Sequence, residues 1–371
     1  MHTCYLLLVA VLLATPGLAQ KAQDSILKTD GARLRNVEIT EFLLTGVRGT
    51  RGNERFEVAA DQVVSVEWGN APPQFLSGRA ALVRGDVRAA TQMFGDVKSQ
   101  RPLVQADAAF FKIKCAVAAI GNDQTGAATV GQHAKKWLVD YPQHWRTPEV
   151  LLLKGRAERL AGANDDATTT LLQLDQLATR AALGTVWSLR AKSELALTLL
   201  SSGKASEART TFQAAAAMAT QRLAATPPDD GELQTQRTMA RIGEGETFLV
   251  EKDYVRAQAF FHELAGSQED DLAAAGLAGE GEAVFLAAVA NNQPADLRRA
   301  QLRLAAASVR DARSGDTSAK ANYYLGRCVL ALGRELEGDA FRQRASAYFQ
   351  LVVSDYPSSR WIGPALAALG K

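Results

Sequence analysis

From Gln74 to the end of the chain, apolar positions recur at helical spacing between short polar breaks, and a second pattern of small and large residues runs inside the first. Gly78, Ala90 and Phe94 form one set; Gly155, Ala167 and Leu171, then Ala196, Ala208 and Phe212, then Gly245, Ala257 and Phe261 form others. In each set the small residues lie twelve apart and the large one follows by four. This spacing predicts two antiparallel helices whose backbones approach at the small residues, with the large side chain filling the space beside them. Helix-period segments predict such hairpins at 74–100, 105–140, 146–180, 184–225, 230–267, 271–311 and 316–356, and a capping helix from Trp361 to Leu369. The second hairpin carries Val130 and Ala134 in place of the usual pair, and the sixth and seventh stretch the small-to-small spacing to nineteen (Gly281 to Ala300, Gly326 to Ala345).

Ahead of the helices the texture changes to short alternating runs: Ser25 to Lys28, Arg33 to Ile39, Arg55 to Val58 and Val63 to Trp68. Asp30-Gly31, Gly46, Gly49 and Gly52-Asn53 read as the separators, which predicts a small, twisted antiparallel sheet or barrel. Asn70-Ala-Pro-Pro73 ends that pattern and opens the first helix. Tyr5 to Ala14 is an apolar run too short to span a bilayer, and Gly17-Leu18-Ala19 offers a cleavage site before Gln20. The expected organisation is an export signal at 1–19, a β domain at 20–71 and a helical repeat domain at 72–371, with a periplasmic or secreted destination and no transmembrane segment in the mature chain. The short region before the apolar run has His2 but no Lys or Arg, and Cys4 precedes that run, where it cannot serve as a lipid anchor.

Composition narrows the function classes. Of 371 residues 47% are apolar but only 7% aromatic, so the core is strung along a rod rather than gathered at one centre. Lys and Arg number 42 against 40 Asp and Glu, so whole-chain charge makes no case for nucleic acid. Cys115 and Cys328 fall near opposite ends of the array, too far apart for a disulfide, and read as buried thiols.

Catalytic chemistry finds little support. His133, His144 and His262 are not paired at metal spacing or set beside a nucleophile, and each reads as a surface histidine. Gly243-Glu-Gly245 and Gly279-Glu-Gly281 lie inside helix patterns where glycine serves close packing, not phosphate binding. Glu244 with Glu246, and Glu280 with Glu282, are two apart on a helix and face different ways, so neither pair can share a proton. Asp165-Asp166 and Glu269-Asp270-Asp271 suit helix starts. No cofactor or metal is expected.

The repeat frame resembles tetratricopeptide repeats. Asn322-Tyr-Tyr-Leu-Gly326 looks like the signature of helix A in that family, and Asp253-Tyr-Val-Arg-Ala257 with Phe261 looks like helix B. Pro102, Pro142 and Pro357 fall eight residues after the position closing helix B, where proline would end the helix. The plan as a whole is similar to that of exported bacterial tetratricopeptide proteins that organise cell-envelope machinery, and the opening strands resemble an Sm-like or SH3-like barrel. The tetratricopeptide resemblance implies a groove lined by helix A residues: Arg79, Arg156, Arg159, Arg190, Tyr323 and Arg327, with Glu246 and Glu282 making its later part acidic. It implies a non-enzymatic scaffold that binds a protein or peptide. The alternatives are a nucleic-acid-binding protein using the Sm-like module and an envelope enzyme with an atypical site.

Overall fold

A computed structural model describes residues 23–120, 124–225, 231–310, 315–333, 339–357 and 359–370. The apolar run read as an export signal, and Cys4 with it, lie outside these residues. The described chain is a solenoid of antiparallel helical hairpins, tetratricopeptide-like in its small-to-large contacts, preceded by a five-stranded antiparallel sheet.

The sheet comprises β1 (Asp24–Lys28), β2 (Arg33–Leu43), β3 (Gly46–Arg51), β4 (Glu54–Ala59) and β5 (Val63–Glu67). Its order is β4-β3-β2-β1-β5, so the last strand returns to pair with the first. Gly46 and Gly49, expected to separate strands, instead lie within β3. The reason is packing: a Cβ at Gly49 would stand 2.7 Å from the Phe56 ring, and one at Gly46 would collide with the Val58 carbonyl. Bareness needed for close backbone approach looks in sequence like bareness needed for a turn.

The helices pair as α1 (Pro73–Val83) with α2 (Val87–Gly95), α3 (Pro102–Ala119) with α4 (Gln124–Asp140), α5 (Thr147–Leu160) with α6 (Asn164–Arg180), and α7 (Thr185–Ser201) with α8 (Ala205–Ala224). They continue as α9 (Gly231–Val250) with α10 (Tyr254–Ala265), α11 (Asp270–Ala290) with α12 (Pro294–Arg310), and α13 (Asp316–Gly333) with α14 (Ala340–Asp355), closed by α15 (Ile362–Ala368). Pro142 and Pro357 follow the ends of α4 and α14, but Pro102 opens α3 rather than ending α2, using the first-turn position where no donor is needed.

The hairpins close where the sequence pattern places them. A methyl on Gly155 would sit 2.7 Å from Leu171, and one on Gly326 2.6 Å from Phe349, so larger residues would force the helices apart. Leu304 fills the same place beside Gly281, so the stretched spacing keeps the contact; in the sixth hairpin the added residues extend both helices past it, and the connection at 291–293 is as short as that at 161–163. Two of the large residues also serve the next repeat: Phe212 of α8 lies against Gly243 of α9, and Phe261 lies under both Gly245 of α9 and Gly279 of α11. At the turn inside five hairpins one residue takes a left-handed backbone, namely Gly85, Gly162, Gly203, Lys252 and Asn292.

Helix α11 is long and apolar enough to cross a membrane, with a mean hydropathy of 1.5, and 83% of that stretch is covered by other parts of the fold. It is the central helix of the C-terminal half, walled by α9, α10, α12 and α13. The first helices of successive hairpins also touch one another, α5 to α7, α7 to α9 and α11 to α13 among them, while no two second helices pack closely among the described residues. An array whose first helices are the closer set curves with those A helices inside, so α1, α3, α5, α7, α9, α11 and α13 form the inner face.

Candidate functional site

At its N-terminal end the inner face is sealed by the sheet. Asp24, 1% exposed, accepts both Arg101 guanidinium nitrogens, at 2.9 and 2.6 Å, and also the backbone N–H groups of Ile39 and Gly69. The same Arg101 lies over the Trp68 ring, and the Trp68 indole N–H donates to Asp107 at 2.9 Å. One apolar core runs without break from Ile26, Val37 and Val66 of the sheet into Phe75, Phe94 and Val104 of the helices.

Behind this seam His144 is buried at 3% exposure, which corrects the surface reading. It sits against Phe42 and Trp137, its Nδ1 accepts the Arg146 backbone N–H, and its Nε2 lies 3.7 Å from Asp107. Burial, with Arg146 beside it, holds the imidazole pKa well below the ordinary value, so the ring is neutral. Burial also pushes the Asp107 carboxyl up, against the pull of Arg146 and the Trp68 hydrogen bond. A loop histidine carries no periodic signal of burial. Its aromatic neighbours come from other elements, so the sequence could not place it.

Along the inner face the predicted arginines meet carboxylates of the next A helix. Arg156 and Arg159 of α5 both reach Glu194 of α7, and Arg190 of α7 reaches Glu232 of α9 at 3.0 Å. Lys114 of α3 is joined to Glu149 of α5 in the same sense. The expected basic stretch is therefore a series of ion pairs between neighbouring repeats. Arg79 stands apart, donating to the Val66 carbonyl of the sheet and lying near the Phe111 ring.

The later part gathers residues from distant points of the chain. Lys320 of α13, its side chain 5% exposed, stands 2.5 Å from Glu282 of α11 and 3.4 Å from Glu246 of α9. Tyr324 donates to Glu282 at 2.6 Å. The segment after α14 then folds back across these helices. Arg360 forks onto both oxygens of Glu246, and its Nε reaches Asp316 at 3.1 Å. Trp361 stacks on Tyr323 with centroids 5.3 Å apart and meets Tyr324 edge-on. Arg327 donates to the Tyr323 hydroxyl and covers Phe285.

Burial alone would raise the Glu246 carboxyl, yet Arg360 and Lys320 outweigh it and hold the pKa at about 2. Lys320 is held up by Glu282 and Glu246 despite its burial, and Tyr324 is raised by burial and by Glu282. Of the predicted groove residues, the fold thus joins Glu246, Glu282, Tyr323 and Arg327, and leaves Arg79, Arg156, Arg159 and Arg190 spaced along the array. Lys320, Arg360 and Trp361 were missed. A lone lysine before Asn322-Tyr-Tyr and an Arg-Trp pair past the last repeat give no spacing signal, because their partners are 38 to 114 residues away.

Glu244 and Glu280 face away from this pocket, toward Arg241 with Gln213 and toward Arg303, as two-residue spacing on a helix requires. Cys115 and Cys328 are buried and free, and burial lifts the Cys328 thiol to about 12. Among the described residues no group of three or more His, Cys, Asp and Glu could hold a metal ion.

No family model matches the chain, and no curated relative does either. Among solved structures the chain is similar to a tetratricopeptide repeat protein from Parabacteroides merdae ATCC 43184, at 12% identity over 80% of this chain and 98% of that one, with a TM-score of 0.47. It is also similar to NprR, solved in complex with its cognate peptide NprX, at 12% identity over 80% of this chain and 81% of that one, with a TM-score of 0.40.

Proposed function

We propose that the protein is an exported, non-enzymatic scaffold that holds a protein or peptide partner on the inner face of its A helices, in the organisation of the cell envelope. The observation that carries this reading is that the face already grips an irregular stretch of polypeptide. Ser359 and Arg360 are held by Asp316 and Glu246, and Trp361 by Tyr323 and Tyr324, all side chains of A helices. A surface that satisfies backbone, cation and ring of one segment has the chemistry for others. His144 and Asp107 are buried, so this acid–base pair is closed to solvent and substrates, as suits a scaffold. Pairing of Arg156, Arg159 and Arg190 with carboxylates lowers the field available to phosphates, which favours protein over nucleic acid.

Photo-crosslinkers placed at Arg156 and Arg190, and for comparison at Leu302 and Val309 on the exposed side of α12, test the reading in native cells. The expected result is a discrete crosslinked partner from the inner positions and none from α12. Equal patterns from both faces would remove the inner-face assignment. Fractionation with N-terminal sequencing tests export: the mature chain should begin at Gln20, and an intact chain in the cytoplasm would contradict it.

A further inference from the structure

We propose that the pocket formed by α9, α11 and α13 recognises a peptide segment in which an arginine is followed directly by an aromatic residue, and that Ser359–Trp361 of the chain is its resident occupant. The inference rests on the scaffold reading and names the partner chemistry for one part of the inner face.

The pocket is built without its occupant. Lys320 is fixed between Glu246 and Glu282, and Tyr324 is tied to Glu282, so two carboxylates and two tyrosines hold their places through contacts among the A helices. Glu246 and Glu282 share Lys320, Asp316 pairs with Arg360, and Arg327 stands on the Tyr323 hydroxyl, so without Arg360 three carboxylates meet two cations and the pocket keeps a net negative charge that calls for a guanidinium. Arg360 meets that demand with a fork onto Glu246 and a further bond to Asp316, geometry that an ammonium cannot reproduce. Asp316 also accepts the Arg360 backbone N–H at 3.2 Å and the Ser359 hydroxyl, so it reads the chain as well as the side chain.

The resident is held lightly outside this contact. Arg360 is 46% exposed, and α15 beyond it buries only Ala365. Trp361 keeps its indole nitrogen buried with no acceptor, so the aromatic position selects a ring and leaves the indole donor unused. Phenylalanine fits the same place without stranding a donor. A partner with an Arg-Phe or Arg-Trp pair competes with the resident, and its apparent affinity falls by the fraction of pockets occupied in cis.

The test uses the full chain and a fluorescein-labelled synthetic peptide with the sequence of residues 355–366. The variant R360E/W361A should bind this peptide roughly tenfold more tightly than the wild-type chain does. A peptide carrying Phe for Trp361 should bind at least as well, and one carrying Glu for Arg360 should not bind. Raising salt from about 50 to about 500 mM should weaken the complex, and adding E246K should abolish it. If R360E/W361A loses its helical circular dichroism, R360A gives the same reading with a smaller gain over wild type. A folded variant that ignores the peptide would overturn the pocket, and equal binding by wild type and variant would overturn the resident. Either failure, alongside inner-face crosslinks from Arg156 and Arg190, would leave the scaffold reading standing.

Discussion

The two ends of the helical array are closed by the same chemical device used at different depths. At the N-terminal end Arg101 forks onto Asp24 and covers Trp68; at the C-terminal end Arg360 forks onto Glu246 and lies near Trp361. Asp24 is also satisfied by two backbone N–H groups and is sealed inside a core shared by sheet and helices. Glu246 has Lys320 as a second partner, and Arg360 is open to solvent on one side. An ion pair whose loss strands a buried charge acts as a weld, whereas one whose loss leaves the charges paired or hydrated acts as a latch. The difference lies in what surrounds the pair.

Asp24→Ala breaks the weld. It leaves Arg101 and two amide donors without their acceptor, and a loss of about 4 kcal/mol in denaturant unfolding is expected. A loss no greater than that from R360A would erase the distinction between the two ends.

Glu246→Gln comes next, at about 3 kcal/mol, because it leaves Lys320 and Arg360 facing one another. Its signature is pH dependence. The carboxyl sits at about 2 in the folded chain against an ordinary 4.5, so its contribution is whole above pH 4.5 and is lost as pH falls toward 2. Urea titrations across that window should show wild-type stability falling with acid more steeply than that of E246Q. Parallel slopes would mean that Glu246 is not held down in the fold.

Arg360→Ala opens the latch and should cost under about 1 kcal/mol globally, since Lys320 remains with Glu246. Limited proteolysis should then cut the segment from Tyr356 to Ile362 several times faster, with the β module unaffected. Smallest is Lys252→Gly, which relieves a left-handed backbone at a position where three other hairpins carry glycine, for a gain of about 0.5 kcal/mol. Its melting curve should rise without any change at either end, giving a baseline for the other variants.

The helical array was legible because each hairpin repeats its own evidence: Gly155 with Leu171, and Gly326 with Phe349, meet in space as their spacing predicts. Strand β3 was not legible, since Gly46 and Gly49 are bare for the sake of Val58 and Phe56, and a sequence does not distinguish that from a turn. Of the pocket, Glu246, Glu282 and Arg327 could be read through the tetratricopeptide resemblance from their place directly after a small glycine, and Tyr323 from its place a turn away on the same side. Lys320, Arg360 and Trp361 could not, because their meaning comes from the superhelix bringing the chain end back over α9, a property of accumulated angles rather than of any local pattern.

Native-state hydrogen exchange compares weld and latch in one experiment on the unmodified protein. Amides from Arg360 to Leu369 should exchange through local opening, insensitive to low denaturant, while the Ile39 and Gly69 amides held by Asp24 should exchange only with unfolding of the N-terminal core. Equal protection at the two ends, with the same denaturant dependence, would contradict the account.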